Sequence, residues 1–351
     1  MMRTTGDVYL WPAAAERKLR MAYQAGLPAY LYGVTGVGKT SLIRHFLEKK
    51  EYFYVSALNT TPDDLESEKI TAPVIVLDDL YAISDIRLKD AYYQRIQEWM
   101  ERNDLWVVLI SRAPFPAWLL SLRMKYSFVM IGEEDFCMTR DQQDEYLERY
   151  GLQVSEEQLE KAWAVGRGNP MSLRIFVMEN GNLEATMRTV WTYLESHVYD
   201  QWDTELQEFF MDISIVKDFT VSLAAMITGN KHVEHMLAQG MEIGNFFVKM
   251  GEKDGVWRCK DAMRWSMEQR LHKKRSPEQI SRLYYNAGLY YEMEGEIAKA
   301  LEMYKVYDDT DSIFRLLVAT ARENAAIGNY YELRNYYLEL PEDLFREKPV
   351  I

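Results

Sequence analysis

Residues 33–40 read Gly33-Val34-Thr35-Gly36-Val37-Gly38-Lys39-Thr40 and satisfy the pattern G-x-x-x-x-G-K-[S/T] in full. The apolar run Ala29-Tyr30-Leu31-Tyr32 precedes them, and Ser41-Leu42-Ile43-Arg44-His45-Phe46-Leu47 follows with helical spacing, so the motif falls between an expected strand and an expected helix. Glycines at these spacings let the backbone curl until successive N–H groups face one anion, and a helix beginning near Lys39 adds the positive end of its dipole. Residues 33–41 are therefore the expected phosphate cradle of a nucleotide. Lys39 is placed to meet the β- and γ-phosphates, and the Thr40 hydroxyl is an oxygen donor suited to magnesium.

Working outward from this loop, short apolar runs alternate with amphipathic segments as far as residue 131, the pattern of a parallel sheet covered by helices. The runs are Ala29–Tyr32, Tyr52–Ser56, Val74–Leu77, Trp106–Ile110 and Phe128–Ile131. They predict an α/β P-loop NTPase core with a five-stranded parallel sheet over residues 1–132. Ligands of such sheets bind beyond the carboxyl ends of the strands. There, Val74–Leu77 delivers Asp78 and Asp79, in the form of a Walker B motif. Asp78 is expected to hold magnesium and Asp79 to orient or deprotonate an attacking water. Trp106–Ile110 ends in Ser111-Arg112 and breaks at Ala113-Pro114-Phe115-Pro116. In the additional-strand class of P-loop proteins this strand lies between the other two, which puts Arg112 where a cation reports the γ-phosphate.

Bulk composition narrows the rest. A chain of 351 residues with 48% hydrophobic content is folded and too long for one ordinary core. A net charge of -13 argues against a nucleic-acid-binding surface over most of the chain. Cys137 and Cys259 stand far apart, which supports neither a disulfide framework nor a zinc site; both are expected to be reduced core thiols. No apolar run has membrane-spanning length and the N-terminus lacks a signal-peptide core, so a cytoplasmic location is expected.

Beyond residue 132 the pattern turns helical. Thr139 begins a capped helix that Gly151 ends, Glu156–Val165 reads as a second, and Gly168-Asn169-Pro170 breaks the chain before Met171–Glu179. Residues 133–198 are read as a helical lid. Residues 199–273 combine helices with a hairpin, Phe246–Met250 turning at Asp254-Gly255 into Val256–Cys259, which fits a winged helix. Lys273-Lys274-Arg275 beside Pro277 reads as a solvated hinge. From residue 274, Tyr284, Ala287, Gly288, Tyr291, Gly295, Ala300 and Tyr304 fall at tetratricopeptide spacing, and Gly328 opens a weaker second copy through Tyr330, Leu333 and Tyr337. With no third repeat or polar cap before Ile351, the chain reads as the N-terminal portion of a longer protein.

With these residues in view, the chain resembles the signal-transduction ATPases with numerous domains, and within them the MalT-like branch of LuxR-family regulators. The likeness rests on the Asp78-Asp79 ending, Ser111-Arg112-Ala113-Pro114, Gly168-Asn169-Pro170, and Trp257-Arg258-Cys259-Lys260-Asp261-Ala262-Met263. The resemblance implies ATP and ADP as ligands with Mg2+, Pro170 beside adenine, and Lys260 or Asp261 where the family often carries a phosphate-facing histidine. It also implies an ADP-bound closed state, and an inducer on the repeats that favours ATP, self-association and slow hydrolysis. DNA would be contacted through a C-terminal helix-turn-helix absent from these residues. Two other readings stand beside it. An AAA-type mechanochemical ATPase predicts rings and rapid turnover, and a tetratricopeptide scaffold with a vestigial site is opposed by intact Lys39, Thr40, Asp78 and Asp79.

Overall fold

The structure is a computed structural model and describes residues 12–166, 168–244, 247–251, 255–323 and 330–339. The chain divides into two compact units, residues 1–202 with 237–248, and residues 203–236 with 249–351.

The first unit is built on β1 (Ala29–Tyr32), β2 (Phe53–Ser56), β3 (Val74–Asp78), β4 (Trp106–Ser111) and β5 (Val129–Ile131). Their order is β2-β3-β4-β1-β5, with every pair parallel. β4 thus separates the phosphate-loop strand from the Walker B strand, the additional-strand order. β3 and β4 are buried along their whole length, as continuous aliphatic runs must be when both faces of a parallel sheet are covered. Alternate residues go to opposite faces. Leu31, Val76, Val108 and Ile110 join Leu19, Ala22, Leu42 and Ile43 in one core, and Tyr30, Ile75, Leu77, Val107 and Leu109 join Tyr92, Ile96 and Trp99 in the other. The helix Ala13–Ala25, not anticipated from the sequence, supplies Leu19 and Ala22 to the first core.

Helices Arg140–Arg149, Glu156–Gly166 and Pro170–Met178 follow as expected, and Leu183–His197 adds one that the sequence reading missed. Thr139 caps the first with a reciprocal Gln142 bond, and Gly151 leaves it at φ 65°. Cys137, expected in the core, is exposed; Cys259 is buried. Cys137 follows the short helix Glu133–Phe136, which has already turned its core residue, Phe136, inward.

β6 (Asp218–Phe219) pairs antiparallel with β8 (Val256–Cys259), in a sheet of strand order β6-β8-β7 with β7 at Phe247–Met250. The expected turn residue Asp254 and strand residue Phe246 lie outside the described residues. Arg275 is no solvated hinge residue. Its Nε and Nη2 donate to Asp212 Oδ1 and Oδ2 at 3.0 Å each. Helices Pro277–Met293 and Ile297–Val306 pack at Gly288, where a Cβ would lie 2.4 Å from Tyr304 Cε1. The tyrosine ring fills the notch that the glycine leaves, as the repeat spacing predicts. Leu333 joins Leu301, Tyr304 and Leu317 in that core; Gly328 and the segment 340–351 lie outside the described residues.

Candidate functional site

The carboxyl ends of β1, β3 and β4 converge on a cavity of about 260 Å3 within the first unit, lined by Thr35, Lys39, Thr40, Asp78, Asp79 and Arg112 among others. This gathers the sequence-expected loop, acids and sensor at one sheet edge. Gly33, Val34 and Val37 are not on its wall; Val37 is buried in the core below and Val34 packs against that core, which anchors the loop. Gly33, Gly36 and Gly38 all take positive φ, and Val34 N–H donates to Glu133 Oε2 at 3.2 Å. Ser41 lies on the cavity wall.

Lys39 begins the helix Lys39–Phe46 and folds its side chain back over the loop. Its Nζ donates to Gly33 O at 2.7 Å and Val34 O at 3.1 Å. Burial pushes its pKa down to about 8, against the pull of Asp78. A desolvated cation held by two carbonyls is poised for an anion that compensates it better. The Thr35 hydroxyl is buried in the same loop with no hydrogen-bond partner, an unmet polar group where a phosphate oxygen would sit.

Asp78 Oδ2 accepts from Thr40 Oγ1 at 2.8 Å and Tyr54 OH at 2.7 Å, and Oδ1 accepts from Asp79 N–H at 2.7 Å. Thr40 and Asp78 therefore present hard oxygens side by side, a donor set that fits Mg2+. Asp79 sits at φ 58°, which turns it off the strand. Its Oδ2 accepts from Ser56 Oγ at 2.6 Å, and burial raises its pKa although the Ser56 bond lowers it. Ser111 ends β4, and its Oγ accepts from Ala113 N–H at 3.2 Å. The Arg112 guanidinium lies 4.1 Å from the Tyr81 ring centroid, a cation–π contact.

Pro170 opens its helix with Asn169 as cap, whose Oδ1 accepts from Met171 and Ser172 N–H. Gly168 is required at that turn, since at φ 78° its Cβ would lie 2.3 Å from Met138 O. Lys260 belongs to the second unit, at the N-cap of the helix Asp261–Lys274. The sequence reading missed Tyr54, Ser56, Tyr81, Glu133 and Tyr193. Tyr54 and Ser56 were legible in principle as polar residues two apart on a strand beside Walker B. Tyr193 reaches the cavity wall from the unanticipated helix Leu183–His197.

Outside this site, residues 195–280 match the MalT winged helix domain family. The chain is similar to MalT. The resemblance to MalT extends over most of its length. The HTH-type transcriptional regulator MalT of Vibrio campbellii is 22% identical over 291 residues, covering 78% of this chain and 32% of that protein. The MalT of Vibrio parahaemolyticus is 20% identical over 258 residues, covering 69% and 28% respectively. The chain thus spans about a third of the length of these curated relatives. Among solved structures, the Walker-type ATPase PABY2304 of Pyrococcus abyssi is 15% identical with a TM-score of 0.56, covering 76% of this chain and 98% of that one. That likeness is one of fold.

Proposed function

We propose that this chain is the nucleotide-switched part of a MalT-like regulator of the signal-transduction ATPase class. The observation that carries this reading is the convergence of Lys39, Thr40, Asp78, Asp79 and Arg112 on one cavity beside a chain whose relatives are transcriptional regulators. The N–H groups of residues 36–41 would cradle the phosphates, with Lys39 moving its charge from loop carbonyls to phosphate oxygens. Thr40 and Asp78 would hold magnesium, which neutralises phosphate charge when bound. Asp79, held by the Ser56 hydroxyl, would orient the hydrolytic water, and Arg112 would leave Tyr81 for a γ-phosphate. That exchange is a differential contact, the only means by which ATP and ADP can favour different states.

On this reading ADP holds the resting state, and an inducer on the tetratricopeptide-like region favours ATP and self-association. Slow hydrolysis resets the switch. Pro170 is the residue proposed to lie near the base, and DNA is contacted by a separate domain. Among the described residues no helix is long and apolar enough to cross a membrane; the cytoplasmic location belongs to the proposal. The test is the nucleotide carried by the purified chain, identified by chromatography after denaturation, with Lys39→Ala alongside. Stoichiometric ADP lost in the variant is expected. An empty protein that hydrolyses ATP rapidly would favour a mechanochemical ATPase instead.

A further inference from the structure

We propose that Tyr54 is a positioning residue for the cation site, fixing the Asp78 carboxylate by a second hydroxyl bond on the oxygen that Thr40 already engages. The inference rests on the reading of the cavity as a nucleotide–magnesium site and adds a residue that the phosphate-loop and Walker B motifs do not contain.

The geometry is specific. Tyr54 OH and Thr40 Oγ1 both donate to Asp78 Oδ2, at 2.7 and 2.8 Å, while Asp79 N–H takes Oδ1 at 2.7 Å. A carboxylate accepts about four hydrogen bonds, so three of its places are occupied from three directions. One lone-pair position is left, on Oδ1, and the group cannot rotate to offer another without breaking a bond. Asp78 is 5% exposed, so any bond broken there is not replaced by bulk water.

The tyrosine is itself held. Tyr54 lies on edge strand β2, in register with Val76 two residues before Asp78, and the Arg44 guanidinium stands 5.1 Å from its ring centroid. Arg44 belongs to the helix that starts at Lys39. The phosphate-loop helix therefore clamps the ring while the hydroxyl reaches the carboxylate. Two residues on, Ser56 performs the same service for Asp79. Edge strand β2 thus supplies one hydroxyl to each Walker B acid, where packing alone would be met by phenylalanine and alanine.

Tyr54→Phe keeps the ring under Arg44 and removes only the hydroxyl. Groups that orient metal ligands typically contribute tenfold or more to metal affinity, so the variant is expected to bind Mn2+ in the nucleotide complex about tenfold more weakly by electron paramagnetic resonance titration. Its affinity for ADP in EDTA should match wild type. Tyr92→Phe removes another buried hydroxyl bond, to Thr60 O at 2.5 Å, and is expected to change neither quantity. Wild-type Mn2+ affinity in Tyr54→Phe overturns the assignment and leaves nucleotide binding standing. An equal loss with and without metal also overturns it, since the tyrosine would then be merely structural. A wild-type chain that binds no nucleotide removes the reading on which the assignment depends.

Discussion

Met171 of the helix Pro170–Met178 rests against Gly36 of the phosphate loop, so closely that a Cβ on Gly36 would lie 2.4 Å from Met171 Sδ and 2.9 Å from its Cβ. Gly36 also sits at φ 87°, where an L-residue costs about 1–2 kcal/mol. Gly36→Ala therefore meets a steric and a torsional penalty together, and nucleotide affinity measured by fluorescent-analogue titration should fall by about tenfold or more. Adding Met171→Ala should recover only part of the loss. Complete recovery would show that the loop backbone is not strained by the substitution.

Lys39 makes the site sensitive to alkaline pH. With its pKa lowered to about 8 by burial, the free protein loses the cation as pH rises past that point, and nucleotide affinity should drop by about tenfold per pH unit above it. The sign for stability is opposite. Below pH 8 the folded chain bears the full cost of a desolvated charge; from about 8 to the unfolded value of 10.5 the unfolded chain binds more protons, so stability rises with pH. Lys39→Met should abolish nucleotide retention yet stabilise the nucleotide-free chain at pH 7 by about 1–3 kcal/mol in denaturant titrations. The gain falls short of the whole shift because Gly33 O and Val34 O lose their donor.

Ser56 tunes Asp79. Burial raises the carboxyl pKa and the Ser56 bond lowers it, so Ser56→Ala should move the acid limb of the ATP hydrolysis pH profile upward. Hydrolysis at pH 6 should then fall more than at pH 8. A uniform loss at both would place Ser56 outside the protonation of Asp79.

Arg275 and Asp212 form a two-point ion pair in the second unit, with side chains 20% and 13% exposed. Removing one partner deprives the other, partly buried, of this two-point contact, so Arg275→Ala or Asp212→Asn should cost about 1–3 kcal/mol in denaturant unfolding. The double variant should cost less than the sum of the two, as a shared interaction requires.

Much of the fold was legible in the sequence. Ala29–Tyr32 and Val74–Leu77 were found to within a residue, because a strand covered on both faces must be continuously apolar and the loops that follow carry charge. The helix Leu183–His197 was missed, and with it Tyr193, because only Thr186, Val190 and Leu194 are buried along it, a weak apolar stripe that the Asn182 cap alone does not reveal. The exposure of Cys137 was missed because a lone cysteine carries no periodicity to read.

The sequence by itself determined the chemistry at the sheet edge: Gly33 to Thr40 can curl around an anion in one way, and Asp78 and Asp79 must emerge where their strand stops. Tertiary structure alone decided how those groups are held. Tyr54, Ser56, Tyr81 and Met171 come to Asp78, Asp79, Arg112 and Gly36 from other elements. Local sequence cannot encode such pairings, because they depend on strand order, register and the direction in which a side chain leaves its own backbone.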